Sequence, residues 1–407
     1  MKTGLLGRKL GHSYSPQIHA HLGDYSYDLF EKEPEEVENF LRCGDFTAIN
    51  VTIPYKQTVI PYCSELSETA RRIGAVNTIV RRPDGSLVGH NTDYFGFLST
   101  VKRTGLNPSG KKVLIIGSGG ASKPAIAVME ELGARVVVIS HRENTPENLV
   151  KHSDAAILIN ATPVGMYPNV GISPVDLSLF PHLEGVLDMI YNPARTQLML
   201  NAEQRGLVME NGLWMLVAQA KEAAVWFTGS VISDDLIAPI HRQLRSQMEN
   251  IILIGMPGCG KSTVGRLLSE KLGRPFVDAD AEIVAAAGMP IPEIFVKSGE
   301  AGFREIETRV LAELGKQSGL VIATGGGCVT QERNAPLLHQ NGTCIWLTRD
   351  LDKLPTDGRP LSQSGKLELM YKVRKPLYEH FADMTVSNDG SAEECAAAIL
   401  KLLKSGG

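Results

Sequence analysis

The stretch IILIGMPGCGKST at 251–263 constrains the fold more than any other part of the chain. A run of aliphatic residues feeds a glycine-rich turn of the pattern G-x-x-x-x-G-K-S, and the helical run STVGRLLSEKLG follows it. Strand, loop and helix in that order are the context a phosphate-binding loop requires. Backbone N–H groups of such a loop surround the phosphates, the lysine spans the β and γ groups, and the hydroxyl after it takes Mg²⁺. Gly258, Cys259, Gly260, Lys261, Ser262 and Thr263 are therefore read as ATP-binding, with Ser262 as a metal ligand and Cys259 as a small spacer. A second glycine turn, GSGGAS at 117–122, follows another strand-like run and precedes a helical one. One chain thus carries two candidate nucleotide sites of different design.

Its length allows this. At 407 residues the chain exceeds one domain of roughly 150 residues and predicts two or three. Hydrophobic residues make up 43% and charged ones 21%, which fits packed globular domains. A formal charge of −4 offers no basic field for nucleic acid or an anionic membrane. The N-terminus lacks an apolar leader core, and no run approaches the ~18 apolar residues of a membrane span. The expectation is a soluble, cytoplasmic protein. The six cysteines are scattered without C-x-x-C or zinc spacing, so they read as free thiols.

Short β-rich runs alternate with helical stretches, the pattern of α/β folds with parallel sheets. The clearest strands fall at 46–53, 111–117, 135–140, 155–162, 250–255, 320–325 and 343–348. No Pro/Gly/Ser spacer precedes the strand at 250, which places the main boundary near 244–249 with a short, stiff connection. At the first glycine turn, Gly117, Ser118, Gly119, Gly120, Ala121 and Ser122 are candidates for binding a dinucleotide pyrophosphate at a helix N-terminus. The next strand ends in Ser140, His141 and Arg142, without an acidic residue ahead of the arginine. A cation there suits the 2′-phosphate of NADP. Upstream, Ser13, Ser15, Lys56, Asn77, Asn91 and Asp93 combine into a polyol site with a Lys/Asp pair, in which Lys can stabilise a developing alkoxide and Asp can hold it.

Residues 1 to about 243 resemble shikimate dehydrogenase, through G-H-S-x-S-P at 11–16, NVTIPYK at 50–56, GAVNT at 74–78, NTD at 91–93 and GSGGAS at 117–122. NATPVGM at 160–166, DMIYNPARTQLM at 188–199 and NGLWMLVAQA at 211–220 extend the match. The resemblance implies that Ser13, Ser15, Thr52, Asn77, Asn91, Asp93 and Gln219 hold the hydroxyl and carboxylate groups of the substrate. It makes Lys56 and Asp93 the catalytic pair, sets Tyr191 near the ring, and implies NADPH-dependent reduction of 3-dehydroshikimate to shikimate. The family pattern N-R-T or S-R-S is replaced by S-H-R at 140–142, so both His141 and Arg142 stand as candidates for the 2′-phosphate.

Residues 249–407 resemble shikimate kinase, through GMPGCGKST, DAD at 278–280, G-E-x-x-F-R-x-x-E at 299–307, TGGG at 324–327 and RPL at 359–361. By that resemblance Asp280 contacts and deprotonates the acceptor hydroxyl, and Asp278 supports Mg²⁺. Arg304, Gly326 and Arg374 bind shikimate, and Arg359 closes over the transferring phosphate from a short lid at 349–362. The fold class implied is an α/β substrate domain at 1–95, completed by a helical segment at 220–243, a Rossmann-like NADP domain at 96–219, and a P-loop kinase domain at 249–407 with a central parallel sheet. The expected product of the first half is the expected substrate of the second. The expectation is a fusion of two consecutive steps of aromatic amino-acid biosynthesis acting on small molecules, with NADP(H), ATP and Mg²⁺. Alternatives are a quinate/shikimate dehydrogenase fused to a kinase for another small hydroxy acid, or one half serving as a non-catalytic shikimate-sensing module.

Overall fold

A computed structural model of the chain describes residues 1–11, 13–354 and 366–405. It divides into two compact units. One comprises Met1–Val164, Ser173–Tyr191 and Asn201–Gln243, and the other Gly165–Ile172, Asn192–Leu200 and Leu244–Gly407.

The first unit contains two sheets. Strands β1 (Lys2–Gly7), β2 (Ser26–Glu31), β3 (Ala48–Val51), β4 (Glu65–Leu66), β5 (Thr78–Arg81) and β6 (Leu87–His90) form a mixed sheet in the order β2-β1-β3-β5-β6-β4. Only β5 runs antiparallel to its neighbours, β3 and β6. Leu6, Ile49, Val51 and Ile79 bury one layer of its core. Strands β7 (Lys112–Ile116), β8 (Arg135–Ile139), β9 (Ile157–Asn160), β10 (Gly185–Asp188) and β11 (Val208–Glu210) form a fully parallel sheet in the order β11-β10-β9-β7-β8. Parallel strands covered on both faces need continuous apolar runs, which VLII of β7, VVVI of β8 and ILI of β9 supply. The chain leaves β7 toward β8 on one side and later returns to β9 on the other. That reversal opens a crevice at the carboxyl ends of β7 and β9, the usual place for a ligand in such sheets.

Helices Asp93–Thr104 and Gly212–Thr228 pack against each other within this unit. Their close approach depends on Gly96, where an added Cβ would lie 2.7 Å from the carbonyl oxygen of Met215. Asn211 caps the second helix by accepting the N–H of Leu213 at 2.9 Å.

In the second unit, β12 (Asn250–Ile254), β13 (Phe276–Asp278), β14 (Val321–Ala323), β15 (Gly342–Thr348) and β16 (Met384–Ser387) form a parallel sheet in the order β13-β14-β12-β15-β16. Ile251, Ile252, Leu253 and Ile254 are buried at its centre. The helix Ile237–Met248 ends one residue before β12. The segment Asn192–Leu200 also belongs to this unit. Arg195 donates from Nε to the carbonyl of His339 at 2.9 Å and from its terminal nitrogen to that of Gly342 at 2.8 Å. Its backbone N–H reaches the Gln340 carbonyl, and that of Ala194 reaches the Asn341 side chain. Among the described residues no helix is long and apolar enough to cross a membrane.

His19 sits in the core of the first unit, its ring stacked on Tyr27 at 4.0 Å between centroids and on Phe227 at 5.5 Å. Burial drives its pKa down to about 3 against a weaker opposing pull from Asn50. The unfolded chain protonates this group as pH falls through its ordinary value of 6.5 while the folded chain does not. Stability that is complete above that pH is therefore lost toward pH 3, at about 1.4 kcal/mol per pH unit for this one group. Urea midpoints of the wild type between about pH 7 and pH 4 should fall along this slope, and those of His19→Gln should fall less steeply.

Candidate active sites

In the first unit, Lys56 follows β3 and Asp93 begins the helix Asp93–Thr104. Lys56 Nζ lies 2.7 Å from Asp93 Oδ2. The backbone of Lys56 is tied down by the Val76 N–H, which donates to its carbonyl at 2.7 Å. Asp93 is fixed by its predecessor, because Thr92 donates its N–H to Asn77 Oδ1 at 2.7 Å and its hydroxyl lies 3.4 Å from Gln219 Oε1. Thr52 stands at the end of β3, with its N–H on the carbonyl of Leu6. Ser13 and Ser15 flank Tyr14, and the Ser15 N–H donates to Ser13 Oγ at 3.2 Å. The ring of Tyr14 meets that of Tyr191 edge to face at 6.2 Å, which brings Tyr191 to the serine loop. Burial, and next to it Tyr14, raises the Tyr191 phenol above its ordinary value and keeps it a proton donor.

Asn77 and Asn91 differ from the others. Both are buried. The Asn77 amide donates to Thr92 Oγ1 at 3.1 Å, and Asn91 donates to the Ala75 carbonyl at 2.9 Å. Their side chains brace the strand ends and the helix that carry the Lys/Asp pair.

The turn at 117–122 lies at the carboxyl end of β7. Gly117 has φ +107°, and an added Cβ would lie 2.9 Å from the carbonyl oxygen of Ala161, just past β9. A Cβ at Gly119 or Gly120 would meet nothing within 4 Å and both residues are exposed, so a ligand can approach the turn closely there. Ser122 closes the turn, its hydroxyl on the carbonyl of Gly119 at 2.7 Å, and begins the helix Ser122–Glu131. The N–H of Gly117 donates to the carbonyl of Ile139 at 2.8 Å. This sets the end of β8, with Ser140, His141 and Arg142, beside the turn; His141 and Arg142 are exposed.

In the second unit Gly255, Gly258 and Gly260 adopt φ of +142°, +85° and +98°. Residues with a Cβ rarely take such values, and they coil the loop around the amine of Lys261. That amine donates to the carbonyls of Gly255 at 2.9 Å and Met256 at 3.0 Å, so it is already held at the loop's centre, where phosphate oxygens can replace the carbonyls. Ser262 donates its hydroxyl to Asp278 Oδ2 at 2.7 Å, and Asp278 Oδ1 accepts the N–H of Asp280 at 3.1 Å. A hydroxyl and a carboxylate in contact beside a phosphate loop are the oxygen donors that suit Mg²⁺.

Asp280 faces the loop 324–327. A Cβ on Gly325 would lie 2.8 Å from Asp280 Oδ1 and 3.0 Å from Glu307 Oε1. Arg304 pairs with Glu307 at 2.7 Å, with the Glu307 side chain only 1% exposed. Burial pushes the Glu307 carboxyl up against the pull of Arg304, and the nearby Asp280 adds to the rise. Arg374 and Tyr378 both donate to the carbonyl of Gly326, at 3.0 and 2.5 Å. An added Cβ on Gly326 would lie 2.7 Å from the ring of Pro257, so glycine is needed where this loop abuts the phosphate loop. Two arginines, two carboxyl groups and the glycine backbone of 325–327 can bind a small acid bearing hydroxyls. Arg359 lies outside the described residues.

The sequence reading gave Glu307 no role beyond closing the motif at 299–307, and it did not name Asn388. Glu307 carried a signal, since it stands three residues after Arg304 on one helix face. Asn388 carried none, for its amide reaches the Cys259 carbonyl at 2.7 Å across 129 residues of chain. His339, Cys344 and Asp383 also cluster, but His339 Nε2 bonds the Phe381 carbonyl, Asp383 accepts the Cys344 N–H, and burial holds the Cys344 thiol well above its ordinary pKa. This group serves packing.

A glycine turn at the reversal point of one parallel sheet and a phosphate loop in another define a two-part, nucleotide-dependent α/β enzyme. Residues 5–79 match the model of the shikimate dehydrogenase substrate binding domain, and residues 257–404 match that of shikimate kinase. Shikimate dehydrogenase (NADP(+)) of Caldicellulosiruptor bescii is 37% identical over 259 residues, which cover 56% of this chain and 89% of that protein. The same enzyme of Caldicellulosiruptor saccharolyticus is 35% identical over 280 residues, covering 61% and 99%. Among solved structures, shikimate dehydrogenase 1 from Peptoclostridium difficile aligns with a TM-score of 0.55 at 36% identity, covering 60% of this chain and 98% of the other. A shikimate 5-dehydrogenase of Thermus thermophilus in complex with NADP(H) and shikimate aligns with a TM-score of 0.54 at 30% identity, covering 60% and 99%. The chain belongs to the shikimate dehydrogenase family and continues into a shikimate kinase domain, which makes it a bifunctional oxidoreductase and phosphotransferase.

Removing the charge of Glu307 should leave the buried Arg304 with the exposed Glu300 as its remaining acidic partner, at a cost of up to about 3 kcal/mol. Calorimetry of Glu307→Gln should show a lowered transition for the second unit, identified as the transition that added ATP moves upward.

Proposed function

We propose that the chain reduces the ring ketone of 3-dehydroshikimate to shikimate with NADPH and then phosphorylates shikimate to shikimate 3-phosphate with ATP. The observation that carries the reading is the Lys56–Asp93 pair at 2.7 Å, an ammonium placed where a ketone oxygen can be met beside a polyol-binding loop. Ser13, Ser15, Thr52 and Gln219 hold the substrate's hydroxyl and carboxylate groups, Tyr191 lies along its ring, and Asn77 and Asn91 act on it through the elements they brace. NADPH, held by residues 117–122 with its 2′-phosphate on His141 and Arg142, supplies the hydride. Lys56 donates a proton to the developing alkoxide, and Asp93 keeps the ammonium oriented.

In the kinase half, ATP supplies the γ-phosphoryl group. Gly258, Cys259, Gly260, Lys261 and Thr263 hold its phosphates, and Ser262 with Asp278 holds Mg²⁺. Arg304, Arg374 and the Gly326 backbone fix the shikimate carboxylate and ring, and Asp280 takes the proton of the attacking hydroxyl. Arg359 completes the charge around the transferring phosphate. Substrates of this kind are dissolved metabolites, and the cytoplasm is where both nucleotides are supplied.

The two chemistries should be separable by single substitutions. Lys56→Ala should lower reduction of 3-dehydroshikimate by about 10²- to 10⁴-fold and leave phosphorylation of added shikimate close to normal. Asp280→Asn should do the reverse, with ATP binding by titration little changed. Loss of ATP affinity with full turnover in Asp280→Asn would overturn the role of Asp280. Products identified by mass, from a mixture of 3-dehydroshikimate, NADPH, ATP and Mg²⁺, test the reaction sequence itself.

A further inference from the structure

The loop after β8 holds a carboxylate that neither half-reaction uses. Glu143 Oε2 accepts the Ser140 N–H at 3.1 Å and the Ser140 hydroxyl at 2.5 Å. The loop is braced around it. The Glu143 N–H returns to the Ser140 carbonyl, and the Glu143 carbonyl accepts the Thr145 N–H and the Asn148 amide. Asn144 donates to the Pro174 carbonyl at 2.9 Å. The bonds to Ser140, hydroxyl first and backbone second, hold the Glu143 carboxyl below its ordinary pKa, so it is charged at neutral pH. Its position is set against the cofactor turn, because Gly117 bonds the carbonyl of Ile139, the residue before Ser140.

The end of the second strand of such a sheet meets the adenosine ribose of a dinucleotide, where an acid accepts the 2′-hydroxyl of NAD and a cation pairs with the 2′-phosphate of NADP. This loop carries both, in adjacent residues. A 2′-phosphate gains Arg142 but meets the charge of Glu143, which also occupies the N–H and hydroxyl of Ser140 that the phosphate would otherwise take. An unphosphorylated ribose meets no such repulsion, and Glu143 Oε1, which takes part in neither bond to Ser140, can accept its hydroxyl.

We propose that Glu143 is a specificity-determining residue of the dehydrogenase half, weakening NADPH binding and favouring NADH so that the enzyme uses both. The inference rests on the reading of this half as a nicotinamide-dependent dehydrogenase. Glu143→Gln keeps an oxygen for Ser140 and removes the charge, so the loop keeps its bracing. The measurement is the ratio of kcat/KM for NADPH over NADH, together with calorimetric binding of adenosine 2′,5′-bisphosphate and of 5′-AMP to the full chain without substrate. Like charges at an exposed site and moderate salt predict that Glu143→Gln raises the ratio about tenfold, through the KM of NADPH with kcat unchanged. The bisphosphate should bind about tenfold tighter, and 5′-AMP no tighter than to wild type. Wild type should turn over with NADH, and Arg142→Ala should move the ratio in the opposite direction. An unchanged or lowered ratio, a change confined to kcat, equal tightening for both adenosine ligands, or a wild type inactive with NADH would overturn the proposal. Inactivity of the wild type with both cofactors would instead overturn the dehydrogenase reading.

Discussion

The side-chain amide of Asn77 touches several elements at once. Its oxygen accepts the N–H of Thr92, its nitrogen donates to the Thr92 hydroxyl, and the hydroxyl of Thr78 on β5 bonds the same oxygen at 3.1 Å. Its backbone carbonyl accepts from Val51 on β3, and its N–H donates to His90 on β6. A buried amide that lost these partners would cost about 1–3 kcal/mol for each unsatisfied group. The strands and the first turn of the helix Asp93–Thr104 therefore hold one arrangement, and Asp93 has one position relative to Lys56. The Lys56–Asp93 pair is partly open to solvent, but the groups that position it are in the core.

Asp278 has the matching place in the second unit. One oxygen binds Ser262, at the start of the helix that follows the phosphate loop, and the other caps the helix Ala279–Ala287 through the N–H of Asp280. A single carboxylate so couples the phosphate side to the acceptor side. The two sites reach the same end by different polar groups, a buried amide in one and a half-buried carboxylate in the other.

Much of this was legible in the sequence where the physics is local. Apolar runs at 111–117, 135–140, 155–162 and 250–255 became β7, β8, β9 and β12 because strands covered on both faces admit little else. Strands β5, β6 and β10 carry only two consecutive aliphatic residues each, too few to stand out, and β2 is largely exposed. Gly4, the third residue of β1, is needed because a side chain there would strike the carbonyl of Asp28 on β2. At the sites, Lys56 meets Asp93 and Ser262 meets Asp278, all residues that the motifs single out. Those motifs could not reveal that Asn77 and Asn91 spend their amides inside the protein, or that Glu143 folds back onto Ser140. Hydrogen bonds made through a turn or across a sheet leave no periodic trace in a sequence.

The Arg195 clamp has a temporal consequence. The carbonyls it binds, at His339 and Gly342, lie 144 and 147 residues further along the chain. Translation at about 5–20 residues per second delivers them roughly 7–30 s after Arg195 has been made. The first unit's sheets can be complete by then, while the segment Asn192–Leu200, enclosed by that unit in sequence, must keep its donors in water until the last sheet is built. Synthesis of the kinase domain thus finishes a piece of chain laid down much earlier, and a ribosome that stalls before residue 339 leaves that piece without its partners.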